Sequence, residues 1–506
     1  MAVFATILLA FVILLILYLY EFAKARPKNF PPGPPRIPIL GTYWALLKED
    51  YNFSHKSTQI LAERYNTDVL GIFLGSFPTV VAHGYDVCKE VLTREEFFGR
   101  NDTILNRGRS LGELMGIFFV DGPYWKEQRR FSLRHLRDYG FGRRFASTEE
   151  QMEKEVRDLI DLFASEPKPQ DKDICRKKGQ LLMPDVFYAP ALNSILYMLV
   201  GRRFDNKELR EIARSTMKFA RGIDATGGAV TFAPWLRYIA PDFFGYTPFI
   251  EENKKFMIFM QKQLDEHKLN FTDDHHADLV DIYLSKIEEL KRENETDTTF
   301  SEKQLLWVLI DYMFPAPVTI GHTLNYLWVH LLNYPEVQEK IQEEIDRVVG
   351  RSRLPNLDDR KDLPYTEAVI REILRKTPIN PFGIPRRCTE DTYLRGYFIP
   401  KDTVIIANIW SACQDVKKWK DPENFRPERF LDRYGNLLKK DYTIGFGAGK
   451  RLCAGETFAR QTMFLLASGL LQNFTFKPAD KMPDINERIW GILLGAPDLW
   501  VEAISR

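Results

Sequence analysis

Phe446-Gly447-Ala448-Gly449-Lys450-Arg451-Leu452-Cys453-Ala454-Gly455 sets one cysteine among small, mostly glycine residues, and the rest of the chain reads as support for it. A thiolate is a soft, electron-rich ligand suited to iron; as the axial ligand of a haem it pushes electron density onto the metal. Gly447, Gly449 and Gly455 would let backbone approach a flat macrocycle as no residue with a Cβ could, and would free turn N–H groups to point at the sulfur. Arg451 would supply a fixed cation for a carboxylate such as a haem propionate. Taken singly, each residue also has a plainer reading. A lone cysteine is commonly a small buried hydrophobe, and a glycine-rich turn can be a loop or a weak phosphate cradle.

The whole string resembles the haem-binding signature Phe-x-x-Gly-x-Arg-x-Cys-x-Gly of the cytochrome P-450 family, without departure at Phe446, Gly449, Arg451, Cys453 or Gly455. The resemblance implies haem b with Cys453 as axial ligand to the iron. It also implies a mainly α-helical fold, one large haem domain with a small β-rich lobe.

At 506 residues, with 45% hydrophobic and 13% aromatic residues, the chain can fill a large core. A net charge of +1 with both signs interspersed argues against a nucleic-acid binder. The five cysteines, Cys88, Cys175, Cys388, Cys413 and Cys453, are dispersed and odd in number, as reduced thiols facing a cytosol would be. Ala2 to Tyr20 is an uncharged apolar run of about the ~20 residues a membrane-spanning helix needs. Lys24, Arg26 and Lys28 follow it, and by the positive-inside rule hold the downstream chain on the cytosolic side. The division expected is a membrane anchor over 1–22, a basic and proline-rich hinge over 23–35, and the catalytic domain over 36–506. The hinge, Phe30-Pro-Pro-Gly-Pro-Pro35, resembles that of microsomal members, which implies the endoplasmic reticulum membrane with the domain on its cytosolic face. The sequon Asn101-Asp-Thr103 is then expected to stay unmodified.

Val69 to Phe73 and Thr79 to Ala82 read as strands around a Gly-Ser turn. Trp125 and Arg129 share a helical face, while Lys126, Arg130 and Arg134 form a basic stripe roughly 100° away. The Trp-x-x-x-Arg pair, Arg100 in Phe-Phe-Gly-Arg and Arg386 after Pro385 match propionate-contact positions of the family; Arg387 is a substitute for Arg386. The basic stripe reads either as a solvated face or as a dock for an acidic redox partner. From Glu149 to about Arg292 the pattern is helical, broken at Pro167, Pro184, Gly227-Gly228 and Pro234, and a polar connector spans Glu288 to Thr299. Asp273-Asp274-His275-His276 reads as a solvated loop more readily than as a metal site.

Phe300 to Leu305 opens a long helix, with Ser301 as N-cap, Gln304 closing a capping box, and Phe300 with Leu305 as a hydrophobic staple. By resemblance this helix lies over the oxygen-binding face of the haem. There the chain departs from the family: Pro315-Ala316-Pro317-Val318-Thr319 puts Ala at the usual Gly and Val at the usual acid. Thr319 is retained as the candidate catalytic residue. Two missing N–H groups predict a kink, at about 3 kcal/mol each in a regular helix, with carbonyls freed for water that could relay protons beside Thr319.

Glu372 and Arg375 pair at i and i+3, and Pro427-Glu428-Arg429-Phe430 resembles the motif that completes a Glu-Arg-Arg structural lock. Pocket segments of relatives fall on 105–118, 219–232, 310–319, 379–384 and 491–496. Ile117, Phe118, Phe219, Ile310, Phe314, Ala316, Ile384 and Leu493 would give an apolar lining and so a lipophilic ligand. Phe232 to Pro241 looks like arthropod members of the group that includes mammalian drug- and steroid-oxidising enzymes, which suggests a hormone-like terpenoid, a steroid or a foreign compound. No flavin or nicotinamide fingerprint is found, so electrons must come from a partner. The resemblance implies the NADPH-dependent flavoprotein reductase and, beside it, cytochrome b5. A monooxygenase is the leading expectation. The departure at Val318 keeps two rivals in view: a haem-thiolate isomerase or dehydratase needing no O2, and a haem-containing lipid carrier or sensor.

Overall fold

The computed structural model describes residues 2–272 and 276–506. Helix Glu456–Asn473 is apolar on nearly every side, which suits an interior helix, and Phe458, Met463, Phe464, Leu466 and Leu470 are all buried. Helix Tyr188–Val200 is similarly enclosed, ending at Gly201 in the left-handed region, where a glycine has no Cβ to clash. Between them run Glu302–Met313 and Pro315–Asn333, which carry the fully buried Trp307 and Trp328. This pair is long and apolar enough to cross a membrane by composition, but 83% of its most apolar window is buried in protein, so it belongs to the core.

The β lobe is smaller. Val69–Leu74 and Phe77–Ala82 pair antiparallel, as the sequence predicts. Phe77–Ala82 then takes Val404–Ala407 as a parallel neighbour, and Arg386–Arg387 closes the sheet with Arg386 opposite Ile405. A second sheet, in the order Cys175–Lys177, Gln180–Met183, Leu499–Ser505, Phe474–Pro478, joins the middle of the chain to its end. Its first two strands lie in the stretch expected to be helical. They are short and pair with each other, and the second takes the C-terminal strand as its other neighbour, which no local pattern announces.

Three other expectations change. The capping box at Ser301 is half made: its hydroxyl accepts from the Gln304 N–H at 3.1 Å, but the Gln304 side chain bridges the N–H and C=O of Gly116 at 2.9 and 3.0 Å. A loop whose backbone would otherwise be buried unpaired claims that amide. The predicted kink shows as a gap in the hydrogen-bond ladder and not in the backbone: Phe314, between Met313 and Pro315, keeps helical φ and ψ of −53° and −45°, and its N–H donates to Ile310 O at 2.8 Å. The two prolines each leave one bond of a continuing helix unmade. Finally, the proline-rich hinge, expected to stand between anchor and globule, is docked on the globule. Arg26 donates to the carbonyls of Pro31, Gly33, Pro34 and Gly71, and Gly33 packs so tightly that a Cβ would meet Gly71 O at 2.0 Å. The Asp273-Asp274-His275 part of the acidic and histidine cluster lies outside the described residues.

Candidate active site

The haem-signature stretch enters as a tight turn and a single 3-10 turn, Gly449–Arg451, before helix Glu456–Asn473 begins. The turn is closed by the Cys453 N–H donating to Phe446 O at 2.9 Å. Gly447 has φ of +80° and open space where a Cβ would point, so conformation requires glycine there. Gly449 also has positive φ, but its close approach is to the backbone of Leu92 and Thr93, at 2.7 and 3.0 Å from a Cβ, and it does not line the cavity. Gly455 has ordinary clearance, with the Phe141 ring 3.5 Å away. Close approach to a macrocycle is therefore available at Gly447, whereas Gly449 seats the turn on helix Gly84–Thr93.

Cys453 differs from the other four cysteines. Those are closed into the core, while Cys453 is enclosed on most sides yet opens onto a cavity of 460 Å³. Burial pushes its thiol up, opposed by a hydrogen bond from the Gly455 backbone and by the Arg129 cation. The ligand set for a metal at this point is thus one sulfur with an electropositive neighbour.

Five arginines line the same cavity: Arg109 and the four that the sequence singled out, Arg100, Arg129, Arg386 and Arg451. Arg100 gives its Nε to Phe118 O at 2.8 Å, Arg386 gives Nη1 to Leu92 O at 2.9 Å, and Arg451 holds Phe98 O and Val120 O at 2.9 Å each. Arg129 donates to Leu452 O. Backbone carbonyls fix the four without neutralising them. Burial lowers Arg386 to about 10 and Arg451 to about 9, and drives Arg100 well below its usual value, with Arg451 and Arg386 adding repulsion. Arg451 stacks 3.6 Å from the Trp125 ring. Trp125 Nε1 and Arg451 Nη1 are buried and have no hydrogen-bond acceptor among the described residues. Converging, uncompensated cations and two orphaned donors fit the acidic edge of a porphyrin, and the single thiolate fits its metal. Arg387 turns outward to Asp121 and Asp402 at 2.8 Å each and is absent from the cavity wall.

The roof comes from the long helix over 302–333. Ile310, Phe314, Ala316 and Thr319 line the cavity, while Val318, at the position of the family's acid, is wholly buried and faces away from it. Thr319 Oγ1 donates to Pro315 O at 2.8 Å, which leaves its oxygen free to accept. Ile117, Phe118, Phe219, Ile384 and Leu493 complete the wall together with Phe446, Gly447 and Gly455. Glu372 is clamped beneath: Arg375 meets both its carboxylate oxygens at 2.7 Å, Arg429 reaches it at 3.1 Å, and all three side chains are buried. Lys126, Arg130 and Arg134 are exposed.

Sequence reasoning missed one charged pair in this wall. Arg109 and Asp311 are both buried, both line the cavity, and are bonded to each other. The only available signal was an acid two turns upstream of Thr319 within an apolar helix; its partner, 202 positions away, could not be inferred.

The chain matches the cytochrome P450 family over residues 31–502. It is 32% identical to farnesoate epoxidase of Bombyx mori over 499 residues, covering 97% of each chain. To cytochrome P450 2J3 of Rattus norvegicus it is 34% identical, covering 94% of this chain and 90% of that one. To the probable cytochrome P450 303a1 of Drosophila melanogaster it is 33% identical, covering 93% of each. With a thiol, five arginines and orphaned donors around one cavity, and near-complete coverage by its relatives, this chain belongs to the cytochrome P450 family.

Proposed function

We propose that this protein is a membrane-anchored monooxygenase that inserts one atom of O2 into a lipophilic small molecule, a hormone-like terpenoid being the first candidate. The observation that carries the reading is Cys453 opening, beneath Arg100, Arg129, Arg386 and Arg451, into a largely apolar cavity whose far wall is the Thr319 helix. Haem b, when bound through the Cys453 thiolate, supplies oxygen activation and transfer. Arg100, Trp125, Arg129, Arg386 and Arg451 hold its propionates, and Gly447 admits its face. Glu372, Arg375 and Arg429 fix the segments beneath the signature turn. Phe118, Ile310, Phe314, Ala316 and Leu493 exclude water and orient an apolar substrate. Thr319, its O–H given to Pro315 O, can accept a hydrogen bond from a water and so hold that water as the proton donor in the cavity. The similarity to farnesoate epoxidase supports a terpenoid over other lipophilic classes.

Electrons come from NADPH through a flavoprotein reductase, with cytochrome b5 as a second donor, docking on the exposed stripe of Lys126, Arg130 and Arg134. The N-terminal helix, Ala2–Lys24, presents Phe4, Ile7, Leu9 and Phe11 outward, and a second apolar set, Trp235, Tyr238, Ile239 and Phe243, is also exposed. Both suit insertion at the endoplasmic reticulum, with the domain on the cytosolic face.

The test uses membranes holding this protein and a reductase, given NADPH, isotopically heavy O2 and a lipid extract, with products read by mass. Heavy oxygen in a product only when NADPH is present is the expected result. Product formed without heavy oxygen or NADPH overturns the reading and favours an isomerase or dehydratase.

A further inference from the structure

Arg109 is 5% exposed, and its guanidinium lies 5.2 Å from the ring centres of both Phe119 and Trp307. It has five N–H donors, and one of its nitrogens, Nη2, bonds to Asp311; among the described residues Nε and Nη1 have no acceptor. Neither Nε nor Nη1 is sealed in the protein, since neither is among the fully enclosed unpartnered atoms, and the residue lines the cavity. Asp311 is differently placed. Its Oδ1 takes Arg109 and its Oδ2 accepts the Ile117 and Phe118 N–H groups at 2.6 and 3.0 Å. A structural clamp therefore accounts for the acid, but not for the spare donors of the base. Burial opposes the charged form of each partner, Arg109 shifting down and Asp311 up.

We propose that Arg109 is a specificity residue: it anchors the neutral acceptor oxygen of a lipophilic ligand, such as an ester or ketone carbonyl, in preference to a carboxylate. A carbonyl oxygen gains a charge-assisted hydrogen bond and removes the cost of unpaired buried donors. A carboxylate would place a second anion beside Asp311 and leave the buried group net negative. Asp311 precedes Thr319 by eight residues, about 12 Å along a helix, so oxidation falls on a part of the ligand remote from its polar end. The inference rests on the reading that this cavity takes a lipophilic substrate.

Equilibrium dialysis of the purified full-length protein decides it, with a long-chain methyl ester, its ionised free acid and the hydrocarbon of matched length as probes. The ester is expected to bind at least about tenfold tighter than either of the others. Arg109→Met combined with Asp311→Asn, which keeps the charge balanced, should bring the ester down to the hydrocarbon. Asp311→Asn alone leaves the cation uncompensated and should shift the ester-to-acid ratio about tenfold toward the acid, which a purely structural pair would not do. Equal binding of ester and hydrocarbon, tighter binding of the acid by the unaltered protein, or a ratio unmoved by Asp311→Asn overturns the proposal. The carbon monoxide difference spectrum of the same preparations judges the haem-thiolate reading separately.

Discussion

At Thr319 a single hydroxyl has two duties. It returns a hydrogen bond to Pro315 O one turn back in the same helix, and it faces the cavity as an acceptor. With Val318 buried in place of the usual acid, and Asp311 occupied by Arg109 and two amides, no free carboxylate of this helix reaches the cavity among the described residues. Replacing Thr319 with Ala should therefore raise peroxide release per NADPH consumed while leaving the carbon monoxide spectrum intact; unchanged coupling would remove Thr319 from the proton path. The Glu372 lock answers to a different measurement. Arg375→Leu leaves a fully buried carboxylate with one cation in place of two, and should cost about 3–5 kcal/mol in denaturant unfolding, with loss of bound haem.

At the scale of elements, Glu302–Met313 and Pro315–Asn333 are joined through Phe314, whose backbone is helical, so both prolines remove hydrogen bonds from a continuing helix. Proline is costly in such a position. Pro317→Ala is accordingly expected to raise stability by up to about 3 kcal/mol, read from thermal unfolding. An unchanged midpoint would mean that the surrounding packing already offsets the missing bond. The signature turn illustrates the same dependence on neighbours. Its glycines look equivalent in sequence, yet Gly447 serves a positive φ beside the cavity and Gly449 a backbone contact with Leu92.

Over the whole molecule, four histidines, His55, His83, His322 and His330, are buried, and desolvation lowers each to about 3. Their ordinary value is 6.5, so between about pH 6.5 and 3 the unfolded chain binds more protons than the folded one. Stability should be full above that window and fall continuously as pH drops through it. Denaturation midpoints at a series of pH values check the sign, and a midpoint that rises on acidification would refute it. The same burial keeps these histidines from competing with Cys453 for a metal: among the described residues, Cys453 is the one cysteine in the cavity wall, and none of the four histidines lines it.

The sequence by itself determined the parts that local chemistry specifies. The signature around Cys453, the strand pair at Val69 and Thr79, the Ser301 cap and the Glu372–Arg375 spacing each depend on residues a few positions apart. Tertiary structure decided whatever required distant segments to meet. Gln304 abandons its cap for Gly116, the hairpin of Cys175–Lys177 and Gln180–Met183 joins a sheet because the C-terminal strand pairs with its second strand, and the hinge lies on Gly71 because Arg26 holds it there. The Arg109–Asp311 pair belongs to the same class, since a buried charge takes its meaning from what faces it, and what faces Arg109 is 202 positions away. Period and spacing record which face a residue occupies; only packing fixes which other face it meets.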